Sequence, residues 1–335
     1  MQVSEQGSVR VDLLGGTLDL VPINVILRNT VTLNLATSLK AKVDIEAIDE
    51  EVVEIISKDY DSKNTFLKKD FLAENFDGDH FGPLSFVCQI LNHFNITDKV
   101  RVTLESGSPP GAGLGGSSSM GVTLYKALAK YTGSDFDRLT AIRTVQNIEA
   151  KILNKGPCGY QDYYPALFGG VLALVPNDNE IIVEQLYDKE FKDFLEKRVT
   201  LIYSGNLRLS AINNWEVYKD FFDSKNGVRE GLTEIANLAS EALTCLKNKD
   251  FERFLTLLGL EGATREKLFS NIVTDDMREL KNELGEVATG LKVCGAGGGG
   301  CFIITHNEGD HDKIKITAEA KNMKVLEFQV CEPLN

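Results

Sequence analysis

The run PPGAGLGGSSS, residues 109–119, limits what this chain can fold into more than any other stretch. Glycines admit left-handed backbone and let main-chain amides approach a ligand without a side chain between. Three serines then open an apolar stretch at helical spacing, Met120 to Tyr131, and the strand-like run Val100 to Leu104 precedes the glycines. Strand, glycine loop and helix start together leave unpaired amides at the positive end of a helix. That arrangement binds anions, phosphate in particular. The chain is therefore expected to handle a nucleotide phosphate.

Two common phosphate signatures fit poorly. Gly111, Gly113 and Gly116 satisfy G-x-G-x-x-G, but that pattern wants an acidic residue about 20 positions on, ending a second strand. Asp135 and Asp137 lie near that distance, yet in GSDFDRLT they read as caps of the next helix. No Gly-Lys-Ser/Thr follows the glycines, which excludes a P-loop. What remains is a glycine loop with serine hydroxyls at a helix start. Such hydroxyls hold a phosphate or help to coordinate magnesium.

The chain's 335 residues allow two domains, each with its own core. Residues 9–57 alternate apolar and polar in four short runs, read as antiparallel strands, and Asp59 to His80 reads as a charged surface insertion or short helix. Helical periodicity marks residues 83–94, 136–153, 231–247, 250–258, 275–284 and 311–321. Strands are expected at 171–175, 199–204, 301–305 and 324–331. The composition shift at Pro176 to Asn179 divides the chain into 1–176 and 177–335, an α+β, two-domain architecture.

A net charge of −13 argues against nucleic acid or an anionic membrane as partner, and requires any phosphate site to be locally positive. Six scattered cysteines without C-x-x-C, and no visible signal peptide or long apolar run, point to reduced thiols in the cytoplasm. His306 and His311, in HNEGDH, read as a solvated turn, so histidine acid–base chemistry is not expected.

Together with CGAGGGGC (Cys294 to Cys301) and VRVDLLGGTLD (Val9 to Asp19), the serine-ended loop resembles the GHMP kinase family, with the three motifs in the family's order. The first motif resembles its sugar-kinase branch. The resemblance implies an N-terminal domain like ribosomal protein S5 domain 2 and a ferredoxin-like C-terminal domain, with ATP, magnesium and a small-molecule substrate in the cleft between. It implies that Pro110, Gly111, Ala112, Gly113, Leu114, Gly115, Gly116, Ser117, Ser118 and Ser119 hold the ATP phosphates. Ser117 and Glu149 would ligate magnesium. Asp162 would orient or deprotonate the acceptor hydroxyl, with Arg10 near it and stabilising the transferred group. Gly16, Thr17, Asp19, Gly297 and Gly298 would contact the sugar.

Each role has a plainer alternative. Ser117 and Asp162 would serve as helix N-caps, Glu149 would pair with Lys151 or Lys155, Arg10 would be a strand-end surface residue, and Asp19 would make an Asx turn before Pro22. For the sugar, Gly15 to Asp19 reads Gly-Gly-Thr-Leu-Asp where galactokinases carry Gly-Glu-His-Thr-Asp, so the motif looks closer to heptose 7-phosphate kinases and fucokinases. A substrate phosphate would need a basic subsite, for which Arg208 with Lys155 is the candidate. The expected activity is ATP-dependent phosphorylation of a sugar or sugar phosphate, most like a heptose 7-phosphate at its anomeric hydroxyl. Galactokinase-, fucokinase- or mevalonate-like kinases, a silent sugar and ATP sensor, and a dinucleotide enzyme stay open.

Overall fold

A computed structural model of the chain describes residues 1–153, 158–178, 180–206 and 212–335. The first half is built on β1 (Gln2–Leu14), a short helix α1 (Ile23–Ile26) and β2 (Thr32–Ala47), followed by β3 (Val52–Ser57), β4 (Ser62–Leu67), α2 (Ser85–His93) and β5 (Val100–Glu105). Then come α3 (Gly116–Thr132), α4 (Arg138–Leu153), α5 (Tyr164–Phe168), β6 (Val171–Pro176) and β7 (Ile181–Gln185). These strands form one seven-stranded sheet in the order β4-β3-β5-β2-β6-β7, with β1 along the other edge of β2. Every pairing is antiparallel except β3 with β5. The period-2 pattern drives this. In β5, Val100, Val102 and Leu104 are buried while the intervening residues are partly exposed.

The second half comprises α6 (Lys189–Arg198), β8 (Val199–Tyr203), α7 (Asn214–Phe222), α8 (Val228–Lys247), α9 (Phe251–Leu268) and α10 (Asp275–Leu284). It ends with β9 (Gly290–Val293), β10 (Cys301–Thr305), α11 (His311–Ala320) and β11 (Lys324–Val325). Its four-stranded antiparallel sheet runs β11-β8-β10-β9. The expected α+β chain with two sheets holds.

One core lies under α2, α3 and α4 against the first sheet. A second joins the halves, packing Val9, Val11 and Leu33 of the first sheet with Phe254 of α9 and Leu201 and Ile303 of the second sheet. The strand β7 lies past the division expected at 176, yet pairs with β6 in the first sheet.

Several local expectations are corrected. The runs NVILRNTVTLNLAT and AKVDIEAI are α1 and a single 16-residue strand rather than two strands. Asp59 to His80 holds short helix as expected, in two four-residue 3-10 helices, Lys68–Phe71 and Ala73–Phe76, but it also carries the strand β4. These turns bring Phe66, Phe71, Phe76 and Phe81 into one ring cluster, with centroids 4.9 to 6.5 Å apart. Aromatic burial overrides the charge of that stretch. His306 is fully buried rather than solvated: Thr200 Oγ1 lies 2.9 Å from both His306 Nε2 and His311 Nδ1. Residues 324–331 form only the two-residue β11. The chain then crosses to the first sheet, where Val330 bridges Thr37.

Candidate active site

Helix α3 opens without a side-chain cap. Its N-cap is Gly115, at φ 69°, and the first intrahelical bond runs from the Ser119 amide to the Gly115 carbonyl. The amides of Gly116, Ser117 and Ser118 therefore precede the helical ladder, so the helix leaves its positive end free of protein caps. The three serines divide the work. Ser119 Oγ donates to the Ser8 carbonyl (3.0 Å) and ties the helix to β1; Ser118 Oγ donates to Glu149 Oε2 (2.8 Å); Ser117 is exposed. None is a cap, so the capping alternative for Ser117 does not apply.

The loop's carbonyls turn inward. The Arg10 amide donates to the Leu114 carbonyl (2.9 Å), and Arg10 Nη1 donates to the Gly113 carbonyl. The Cys301 amide donates to the Ala112 carbonyl at 2.6 Å, and a Cβ on Gly300 would meet the Gly111 and Ala112 carbonyl oxygens at 2.6 and 2.8 Å. The three glycine-bearing motifs, spread over nearly the whole sequence, thus meet at one place. Pro110 enters this loop and Gly116 begins the helix.

Asp162 faces the same place. It lies on the turn before α5, whose N-cap is Tyr163, and it makes no helix cap. Arg10 Nε donates to Asp162 Oδ1 at 2.8 Å and Nη2 lies 2.6 Å from the same oxygen. Arg10 is buried, so it is not a strand-end surface residue, while Asp162 keeps about 30% of its side chain exposed. A Cβ on Gly115 would sit 3.1 Å from Asp162 Cβ and Cγ. Loop, guanidinium and carboxylate are therefore in mutual contact. Burial works against the Arg10 charge, but Asp162 and Asp12 outweigh it and hold its pKa above the ordinary value.

Glu149, on α4, receives hydroxyl hydrogen bonds on Oε2 from Ser118 (2.8 Å) and Tyr163 (2.6 Å). Burial raises its pKa although hydrogen bonds from Tyr163, Ser118 and Ser117 oppose the shift. The alternative pairing with Lys151 does not form, because Lys151 pairs with Asp77 at 3.3 Å. Lys155 and Arg208 lie outside the described residues.

Asp19 is buried and accepts a hydrogen bond from the Gln161 amide (3.1 Å), next in sequence to Asp162. Its carboxylate packs on the backbone of Gly159, where a Cβ would come within 2.1 Å of Oδ2. Burial first, then the Asp162 charge, pushes its pKa up to about 6. Of the remaining expected substrate residues, Gly16 and Thr17 lie on the turn leading to Asp19. Gly297 and Gly298 reach the other way, against Ile272, whose carbonyl accepts from the Gly298 amide at 3.0 Å.

Sequence reading missed four buried ionic side chains beside these motifs. Lys292 Nζ lies 3.3 Å from Asp12 Oδ2 and 3.0 Å from Glu261 Oε2, and Arg265 Nη1 lies 3.1 Å from Asp12 Oδ2. The available signals were an aspartate inside the apolar run VRVDLL and a lysine inside LKVC. Burial alone would raise the Asp12 pKa, but Lys292, Arg265 and Arg10 hold it below the ordinary value; burial raises that of Glu261. Among the described residues no cluster of three or more His, Cys, Asp or Glu can hold a metal, and no helix is long and apolar enough to cross a membrane.

Residues 84–170 match the family described as GHMP kinases N terminal domain, and residues 242–319 match GHMP kinases C terminal. The mevalonate kinase of Saccharolobus solfataricus is 25% identical over 282 residues, 82% of each chain. The D-glycero-alpha-D-manno-heptose 7-phosphate kinase of Campylobacter jejuni is 30% identical over 196 residues, 57% of each chain. Among solved structures, the Methanococcus jannaschii mevalonate kinase superimposes with a TM-score of 0.75 at 21% identity, covering 100% of this chain and 98% of that one. With both halves matched and the three motifs joined at one place, the chain has the two-domain fold of the GHMP kinase family and belongs to that family.

Proposed function

We propose that this kinase transfers the γ-phosphate of ATP to a hydroxyl of a sugar or sugar phosphate, a heptose 7-phosphate-type sugar at its anomeric position. The observation that carries the reading is the Arg10–Asp162 pair, at 2.6 Å, seated between Gly115 of the phosphate loop and the buried Asp19. The amides at the start of α3, with those of the preceding loop other than Ala112, which donates to the Pro109 carbonyl, would hold the triphosphate. Arg10 offers a charged planar fork to the oxygens of the transferred group. Asp162 accepts the acceptor's hydroxyl proton or aligns that oxygen; a loose phosphoryl transition state needs little base strength, so alignment dominates.

Ser117 and Glu149 fit magnesium. The Ser118 and Tyr163 hydrogen bonds to Glu149 fall on Oε2, the metal donors would be hard oxygens, and magnesium needs few protein ligands because phosphate oxygens and water complete its shell. Once bound, the ion would offset phosphate charge.

Asp19 supports the sugar. A carboxylate accepts hydrogen bonds from neighbouring hydroxyls, whereas a mevalonate carboxylate placed there would be a third beside Asp19 and Asp162, in a site where Asp162 already raises the Asp19 pKa. A mevalonate-type acceptor is the second reading, favoured by the 82% coverage of the Saccharolobus solfataricus enzyme. The test is ADP release with a panel of monosaccharides, heptose phosphates and mevalonate. Turnover with a sugar or sugar phosphate is expected. Turnover with mevalonate alone transfers the assignment to the second reading, and sugar and ATP binding without turnover makes the chain a sensor.

A further inference from the structure

Arg265 lies in the last turn of α9, in the second half of the chain, yet its side chain is buried beneath the first motif. Its Nη1 donates to Asp12 Oδ2 at 3.1 Å. Its Nη2 donates to Thr17 Oγ1 at 3.2 Å and to the Gly295 carbonyl at 3.1 Å. One guanidinium therefore joins a carboxylate of β1, the turn leading to Asp19, and the first glycine of the third motif. Gly16 is part of the same packing: a Cβ there would meet Asp12 Oδ2 at 2.2 Å and Arg265 Nη1 at 2.5 Å.

The turn needs holding. Thr17 has φ 73°, in the left-handed region that β-branched residues avoid. Such a conformation persists only where its surroundings over-determine it. Arg265 is itself firmly placed. Helix α9 meets β9 backbone to backbone, since a Cβ on Gly262 would lie 2.1 Å from the Leu291 carbonyl oxygen and one on Gly290 would lie 2.8 Å from Gly259 Cα. Lys292 pairs with Asp12 and Glu261, so the carboxylate that receives Arg265 is anchored too.

We propose that Arg265 is a positioning residue for the acceptor turn: it grips Thr17 in its left-handed conformation and so sets where Asp19 stands. Three acceptors in different directions suit a planar fork of donors and not the compact ammonium of lysine. The consequence for the acceptor rests on the reading of Asp19 given above; the grip on the turn does not.

The test has two arms. Hydrogen exchange needs no substrate. Arg265→Gln is expected to speed exchange across residues 15–20 by tenfold or more while residues 111–119 keep their protection, and unchanged exchange at 15–20 overturns the proposal. In steady-state kinetics, Arg265→Gln should raise the acceptor KM about tenfold with the ATP KM within about twofold, and Arg265→Lys should not restore it. Thr17→Gly, which reaches left-handed backbone unaided, should return exchange at residues 18–20 toward the wild-type rate in the Arg265→Gln background. An equal rise in both KM values, or no rescue by glycine, overturns the assignment. Should Arg265→Gln fail to fold, Thr17→Val removes only the gripped hydroxyl and is expected to reproduce the faster exchange; wild-type exchange in that variant overturns it. If the wild-type protein phosphorylates no acceptor while exchange responds as stated, the sugar-kinase reading falls and the grip stands.

Discussion

At the scale of single residues, the site depends on charges whose neighbours set their chemistry. Asp162 binds Arg10 through one oxygen, Oδ1, and in the proposed reaction Oδ2 would receive the acceptor hydroxyl. Asp162→Asn keeps the shape and removes the charge. It is expected to lower kcat by roughly 10²-fold or more while ATP affinity is retained, measured by steady-state kinetics and nucleotide titration. Near-normal kcat would take Asp162 out of the mechanism. Asp19 gives a pH signature, because its pKa is pushed up to about 6. Below that pH it gains a proton and loses acceptor capacity, so the acceptor KM should climb as pH falls through 6, and Asp19→Asn should flatten that limb. For stability the sign is opposite: a raised carboxylate pKa costs the fold as pH rises from the ordinary value of about 4 to the folded value. Asp12, held low, contributes stability that is lost on acidification.

At the scale of elements, the loop before α3 and the loop between β9 and β10 are packed through glycines. Gly300 has φ 76° and its missing side chain leaves room for the carbonyls of Gly111 and Ala112. Gly300→Val should force the two loops apart and raise the ATP KM tenfold or more, with Gly78→Ala, which meets nothing within 4 Å, as a neutral control. An unchanged ATP KM would mean that the loop holds its shape alone. Most elements were legible because periodicity is local: α10 runs Asp275–Leu284, as its apolar spacing predicts, and α2, α3, α4, β5, β6, β8 and β10 fall within a few residues of expectation. Two misses, Asp59 to His80 and the tail after Val325, owe their shape to packing that periodicity does not announce, a ring cluster within the first segment and strand β2 of the first sheet for the second. Helices α6 and α7 and strands β7 and β9 are absent from the expectations, and α9 runs ten residues beyond its expected end at 258.

At the scale of the whole molecule, the halves share a core, and the chain's last residues return to the first sheet. The Cys331 amide donates to the Ala36 carbonyl (2.8 Å), the Ser38 amide to the Gln329 carbonyl (2.8 Å), and the Leu334 amide to the Phe168 carbonyl (2.7 Å). Val330 and Phe328 pack into the shared core. Calorimetry is expected to show one unfolding transition for the intact chain. Removal of residues 328–335 should lower the midpoint by about 5 °C or more; an unshifted midpoint would make the tail a passive extension.

The sequence by itself determined the three glycine motifs, their order, the carboxylates and arginine that chemistry would require, and most helices and strands. These follow from backbone freedom and from periodicities that neighbouring residues set among themselves. The nearness of Arg10 to Asp162, across 152 positions, was implied by the family resemblance, and tertiary structure alone decided the other partnerships: Ser118 rather than Lys151 on Glu149, His306 inside rather than out, and Arg265 beneath Thr17 across 248 positions. A buried polar group must find a partner, and the order of residues along a chain does not say which one folding will bring within 3 Å.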